Sequence, residues 1–174
     1  MKLSTKGRYA VMALADLACQ SKGQPVALAD IAARQEISLS YLEQLFGKLR
    51  KGAQVKSVRG PGGGYLLARP AKDMRIADIV LAVDEPIKAT LCRPNSSNGC
   101  RSDHSRCVTH DLWEELGNQI YLFLSTVSLE DVIEHRVLGR SGQNFIMEHA
   151  ARISAERQAN HKANHQDTHP QAAE

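Results

Sequence analysis

The sequence predicts a mainly α-helical protein with one small β-hairpin: a winged helix-turn-helix followed by a long dimerisation helix. Three observations predict it. Two short amphipathic helical patterns flank the tight turn Glu36-Ile37-Ser38. The glycine-tipped stretch VKSVRGPGGGYLL follows them over residues 55–67. A broad apolar stripe then runs from Val108 to Leu124, in a chain with little spare interior to cover it.

Residues 5–20 read as the first helix, in which Tyr9, Met12, Ala13, Leu17 and Cys19 leave few polar positions, so most of it is expected to be buried, and Lys22-Gly23-Gln24-Pro25 ends it. Cys19, among Ala and Leu, is expected to be a small buried hydrophobe. A short second helix carries Leu28, Ile31 and Ala32 on one face and closes near Gln35. In the third helix, Leu42, Leu45, Phe46 and Leu49 fall at i, i+3, i+4 and i+7. Ser38 caps it, or Ser40 does so in a capping box with Glu43. Gly52 ends it.

Residues 55–67 then read as a two-stranded hairpin. The glycines supply positive φ at the tip, and Pro61 fits a position that donates no hydrogen bond. A nucleotide loop is excluded because no Lys follows the glycines, and Tyr65 stands where a dinucleotide loop started at Gly60 needs glycine. With a helix-turn-helix upstream, the hairpin is a wing. The third helix is expected to enter the major groove of a palindromic duplex, with the wing at the backbone or minor groove. Ser38, Ser40, Tyr41, Glu43 and Gln44 are the candidate contacts on the helix, and Arg59, Gly60 and Pro61 on the wing. Gln44 can pair with a base edge, Ser40 and Tyr41 can hold phosphates, and Arg59 suits a narrow minor groove. A Glu43 carboxylate repels phosphate unless it accepts from a cytosine amino group.

The charge agrees. Residues 1–70 hold 11 Lys plus Arg against 4 Asp plus Glu, a balance of +7, whereas residues 71–140 hold 8 against 11 and residues 141–174 hold 3 against 4. The net +3 therefore conceals a basic first part joined to an acidic remainder, so only the first part suits a polyanion.

Beyond the wing, Met74, Ile76, Ile79, Val80 and Val83 predict an extended lead and a helix ending before Pro86. Leu112, Trp113, Leu116, Ile120, Phe123 and Leu124 line the long helix, whose cover is expected to be a second copy of the chain. Ser128 caps a last short helix carrying Leu129, Val132 and Ile133. The organisation expected is 1–70 winged helix-turn-helix, 71–91 linking unit, 92–110 cysteine-rich loop, 108–138 dimerisation helix with a short helix, and 139–174 disordered tail. No membrane span is expected. Asp16 interrupts the apolar N-terminal run, so a buried helix explains it better than a signal peptide, and the location expected is cytoplasmic.

Cys92, Cys100, Cys107 and His110 fall in the pattern C-x7-C-x6-C-x2-H. In a reducing compartment such thiols serve as ligands or redox groups rather than structural disulfides. Four donors of this kind hold zinc or an iron–sulfur cluster. Zinc sites favour closer cysteine pairs, and a disulfide switch leaves His110 without a role. His104, inside the loop, is the rival fourth ligand. One protonatable imidazole among thiolates makes a set that is easier to lose, which suits a sensor. No Ser–His–acid order, nucleotide loop or deaminase signature is present, so no enzyme is expected. The alternatives are a zinc- or thiol-switch-dependent winged-helix repressor and a structural or protein-interaction module reusing the winged fold.

Over Lys2 to about Ile133 the chain resembles the bacterial iron–sulfur cluster regulators of the IscR family. The resemblance lies in STKGRYAV, PVALADIAARQEISLSYLEQLF, VRGPGGGYLL, AVDE, CVTHDLW and SLEDVI. It implies a homodimeric transcription factor that binds a [2Fe–2S] cluster through Cys92, Cys100, Cys107 and His110. It further implies repression of cluster-assembly genes, activation at some promoters, and cluster-assembly proteins as the cluster source. It also implies that Glu43 rejects some sites in the cluster-free form. The family pattern has five residues in each of the first two ligand gaps, against seven and six here, and longer loops add little closure entropy. A related nitric-oxide sensor uses an acidic ligand near the N-terminus, where this chain has Arg8.

Overall fold

The computed structural model describes residues 5–89, 101, 105–138, 151 and 153–155. In order these form α1 (Thr5–Ser21), α2 (Leu28–Gln35), α3 (Leu39–Lys51), β1 (Val55–Val58), β2 (Gly64–Leu67), a 3₁₀ turn (Ala71–Asp73), α4 (Ile76–Ala82), α5 (His110–Thr126) and α6 (Leu129–Ile133). Residues Met1–Arg136 form one compact unit, and Val137–Glu174 a second. In the second, the described residues at 151 and 153–155 are helical, and the rest of the expected disordered tail lies outside the described residues.

α1 is the central post, packed by α2, α3, β2, α4 and α6. Its buried face is Gly7, Ala10, Ala13, Leu14, Asp16 and Leu17. Cys19 is exposed, which corrects the expectation of burial, and so is Met12. The two are seven residues apart and so share the helix face opposite Leu14 and Leu17. Asp16, charged and buried, is satisfied from α2. Arg34 Nε and Nη2 donate to its carboxylate at 3.0 and 2.7 Å, and Gln35 Nε2 at 3.1 Å. A buried carboxylate so paired ties α2 to α1 in one geometry.

α2 ends with Glu36 in the left-handed region, φ 53°. Ile37 is buried in the turn, and Ser38 caps α3 by accepting from the Tyr41 N–H at 3.3 Å. Of the two starts open in the sequence, the structure takes Ser38. Leu42, Leu45, Phe46 and Leu49 are all buried, as the periodicity requires.

β1 and β2 pair antiparallel, with Val55 opposite Leu67 and Val58 opposite Gly64. Tyr65 also exchanges two backbone hydrogen bonds with Val26, at 3.0 and 2.9 Å, so the segment before α2 lies along β2. Here the run of glycines is explained. Gly62 has φ 72°, open to residues without Cβ strain. A Cβ on Gly64 would lie 2.2 Å from the Val26 carbonyl oxygen. The tip's freedom serves the chain's own backbone before any partner.

After the 3₁₀ turn, Arg75 bridges Ser128, with Ile76 N–H donating to Val127 O at 3.0 Å and Leu129 N–H to Met74 O at 2.8 Å. The expected extended lead is therefore a short pairing that brings α6 beside α4. Ser128 and Asp131 form a reciprocal capping box on α6, with Leu129 buried and Val132 and Ile133 half-buried. α5 begins at His110 and ends at Thr126, two residues later at each end than its apolar stripe predicts.

Candidate functional site

Two regions collect the chemistry: the outer face of α3 with the hairpin, and the turn that leads into α5.

On α3, burial of Leu42, Leu45, Phe46 and Leu49 forces the opposite side outward, and Ser38, Ser40, Glu43 and Gln44 are exposed. Among the described residues, Ser40, Glu43 and Gln44 have no side-chain hydrogen bond or ion pair. Tyr41 departs from the expected outer face. It is half-buried, its ring edge-on to Tyr9 of α1 with centroids 6.0 Å apart. Leu39, not singled out by the sequence reading, is exposed at the first position of the helix, beside Ser40 and Glu43.

The hairpin is held against α3 by Phe46 and Tyr65, whose rings meet edge-on at 4.8 Å. Arg59 directly follows β1, and Arg59, Gly60 and Pro61 are all exposed at the tip. Lys56, Arg50 and Lys51 are exposed as well. The other basic residue of the last turn of α3, Lys48, is engaged with Asp84 at 2.9 Å. The hydrogen bond and charge of Lys48, helped by Lys6 and Lys51, hold the Asp84 carboxyl below its ordinary value. The face is thus polar, net basic and fixed to the core by an aromatic contact.

The second region is the turn Cys107–His110. His110 N–H donates to Cys107 O at 3.0 Å, and Cys107 Sγ lies 3.7 Å from Thr109 Oγ1. Cys107 is half-buried, and His110 is buried at the first position of α5. Its Nε2 meets Glu114 Oε2 at 3.2 Å, one turn along the helix. Ligand atoms of His110, Asp111 and Glu114 lie within 4.8 Å of one another. The two carboxylates escaped the sequence reading, although an acid four residues after a helical histidine is a readable signal. The structure places Cys107 and His110 on one turn. Cys92, Cys100 and His104 lie outside the described residues.

Beyond that turn, α5 exposes Leu112, Trp113, Leu116, Tyr121, Leu122 and Phe123, with Leu112 63% accessible. Ile120 and Leu124 are half-buried. Gly117 is buried where the backbone of Ala89 approaches, a Cβ there standing 3.3 Å from the Ala89 nitrogen.

The profile of the Rrf2 family, described as an iron-dependent transcriptional regulator, matches residues 3–135. The HTH-type transcriptional regulator IscR of Photorhabdus laumondii is 52% identical over 136 residues, 78% of this chain and 81% of that protein. Among solved structures, T. potens IscR aligns with a TM-score of 0.62 at 38% identity, covering 78% of this chain and 88% of the other. CymR, the global cysteine regulator of B. subtilis, aligns with a TM-score of 0.63 at 30% identity, covering 78% and 98%.

Proposed function

This chain belongs to the Rrf2 family of transcriptional regulators, and from that membership we propose that it is a homodimeric, DNA-binding regulator that senses an iron–sulfur cluster. It represses cluster-assembly genes and activates some other promoters, acts in the cytoplasm, and takes its [2Fe–2S] cluster from the assembly proteins. Its ligands are Cys92, Cys100, Cys107 and His110. The DNA contacts are Ser38, Ser40, Tyr41, Glu43 and Gln44 on α3 and Arg59, Gly60 and Pro61 on the wing.

One observation carries the cluster reading. The turn into α5 puts a thiol and a buried imidazole three residues apart, and Glu114 steadies that imidazole. Carboxylates commonly orient metal-bound histidines and raise their basicity. A thiolate and an imidazole are donors of the kind that iron–sulfur centres accept. When bound, the cluster supplies a redox- and iron-sensitive link across the loop; the chain's own part is to present donors and to position α5. α4 packs on both α3 and α5, so the ligand turn and the reading helix share a neighbour. A zinc-dependent winged-helix repressor is the second reading, favoured by the two carboxylates beside His110, since oxygen and imidazole donors also suit zinc.

The deciding experiment is anaerobic purification followed by iron, sulfide and zinc analysis with an absorption spectrum. The expected result is a coloured protein with about two irons and two labile sulfides per chain. The colour should be lost in Cys92→Ala, Cys100→Ala and Cys107→Ala and weakened in His110→Ala. Stoichiometric zinc without visible absorption would replace the cluster by the second reading. If His104→Ala lost the colour and His110→Ala kept it, the fourth ligand would be His104.

A further inference from the structure

The recognition face holds one residue that the polar contacts do not use. Leu39 is 42% exposed at the first position of α3, and its neighbours Ser38, Ser40, Glu43 and Gln44 are exposed and polar. A single exposed leucine elsewhere on a surface needs no account. Here the place matters. In a helix-turn-helix the N-terminal residues of the second helix are those that meet base edges. The hydrophobic contact expected at this helix start is already made without Leu39: Ile37, just before the cap, and Leu42 are both buried. Leu39 lies one turn before Glu43 on the same side of the helix, and the described residues leave 42% of it exposed.

The major groove offers one apolar feature, the C5-methyl of thymine. We propose that Leu39 is a base-reading residue that packs on a thymine methyl, beside the base edge that Glu43 faces. The inference rests on the DNA-binding reading and deepens it, because it assigns an apolar element to a site otherwise described by polar contacts. An alanine at position 39 keeps helix propensity and leaves the buried face of α3 unchanged.

The test uses the full-length protein and a duplex recovered by selection from random DNA. Each thymine in turn is replaced by deoxyuridine, which removes the methyl and leaves the pairing edge intact. For the wild type, one thymine per half-site is expected to lose about fourfold in affinity, the worth of one buried methyl-sized group. Leu39→Ala is expected to bind the unmodified duplex about as weakly as the wild type binds the deoxyuridine duplex, and to be indifferent to the replacement at that thymine. Leu39→Met, which preserves volume, should keep the sensitivity. Wild-type binding unaffected by loss of every thymine methyl would overturn the role of Leu39 and leave DNA binding standing. So would a Leu39→Ala protein as methyl-sensitive as the wild type. Failure of the selection to return any duplex with salt-dependent binding would overturn the DNA-binding reading itself.

Discussion

Helices α3 and α5 both have an exposed face, and the two faces have opposite chemistry. α3 turns Leu42, Leu45, Phe46 and Leu49 into the core and leaves mostly polar side chains outside. α5 buries only His110 and Gly117 and leaves Leu112, Trp113, Leu116, Tyr121, Leu122 and Phe123 outside. The first helix is finished within one chain: its cap, its core face and its contact to the wing are all internal. The second is unfinished. Its apolar side stands exposed in one chain, and its first turn carries His110, one of the four proposed ligands, the others preceding it in sequence. In the proposed function, reading DNA and sensing a signal thus fall on elements of different completeness, with α4 packed against both. A perturbation of α3 should be seen in the folding of one chain, and a perturbation of α5 in association.

The sharpest test of that contrast is Phe46→Ala. Phe46 is fully buried and meets Tyr65 of β2 edge-on, so its loss opens a cavity and loosens the wing together. The expected cost is about 3–5 kcal/mol in denaturant unfolding, with DNA binding lost in parallel. A cost under about 1 kcal/mol would mean that the wing and α3 are not joined through this contact.

Leu116→Asp probes the other side. Leu116 is 38% exposed in one chain, so the substitution should cost the folding of the monomer far less than Phe46→Ala. In the proposed dimer it places a charge in an apolar seam. Self-association in sedimentation should weaken by at least about thirtyfold, equivalent to ~2 kcal/mol. An unchanged dimer would take this face of α5 out of the interface.

Ser38→Ala and Ser38→Asp separate two roles of one residue on α3. The serine caps the helix through Tyr41 N–H, and alanine should cost about 1 kcal/mol of stability. Aspartate also caps, and its charge suits a helix N-terminus, so stability should be kept. Near phosphate the same charge is repelled. Ser38→Asp should therefore fold like the wild type and bind DNA more weakly. Equal binding by both would leave Ser38 a cap alone.

Much of α3 and the hairpin was legible because local rules decide them. A helical period of leucines, a serine before it and a glycine-rich turn after two strand-forming runs each act over a few residues. What escaped depends on distance in the chain. Glu85 is buried and accepts from the Gly7 N–H in the first turn of α1, a contact across 78 residues. The Arg34–Asp16 pair likewise joins two helices whose sequences give no sign of it. Cys19 is exposed although a run rich in Ala and Leu reads as buried all round, because only the packing against α2, α3, β2, α4 and α6 decides which side is covered. At the candidate ligand site, the Cys and His pattern was readable, whereas the Glu114 contact needed α5 to start at His110.

The smallest expected effect tests how α3 is held at its far end. Lys48 meets Asp84 at 2.9 Å, and Asp84 has φ 57°, which asparagine tolerates better than most residues. Asp84→Asn therefore removes the charge while keeping the backbone. The carboxyl's folded value is lowered, first by the hydrogen bond from Lys48 and then by its charge. A depressed acid stabilises the fold above its unfolded value, about 3.9, and that contribution disappears as pH falls through the folded value. Wild type should thus be slightly more stable than Asp84→Asn at pH 7 in denaturant unfolding, and the gap should close only below about pH 4. The side chain of Asp84 is 76% exposed, so solvent screening keeps the gap small. Raising salt to 1 M, where the screening length is about 3 Å, should close it at neutral pH as well. Self-association through α5 should survive the same salt, because covering apolar surface does not depend on screened charge. A gap that persisted at 1 M salt would mean that the direct hydrogen bond from Lys48, and not screened charge, carries the contribution. Loss of the dimer in that salt would mean that the α5 face is held by charge, against the apolar character its exposed side chains display.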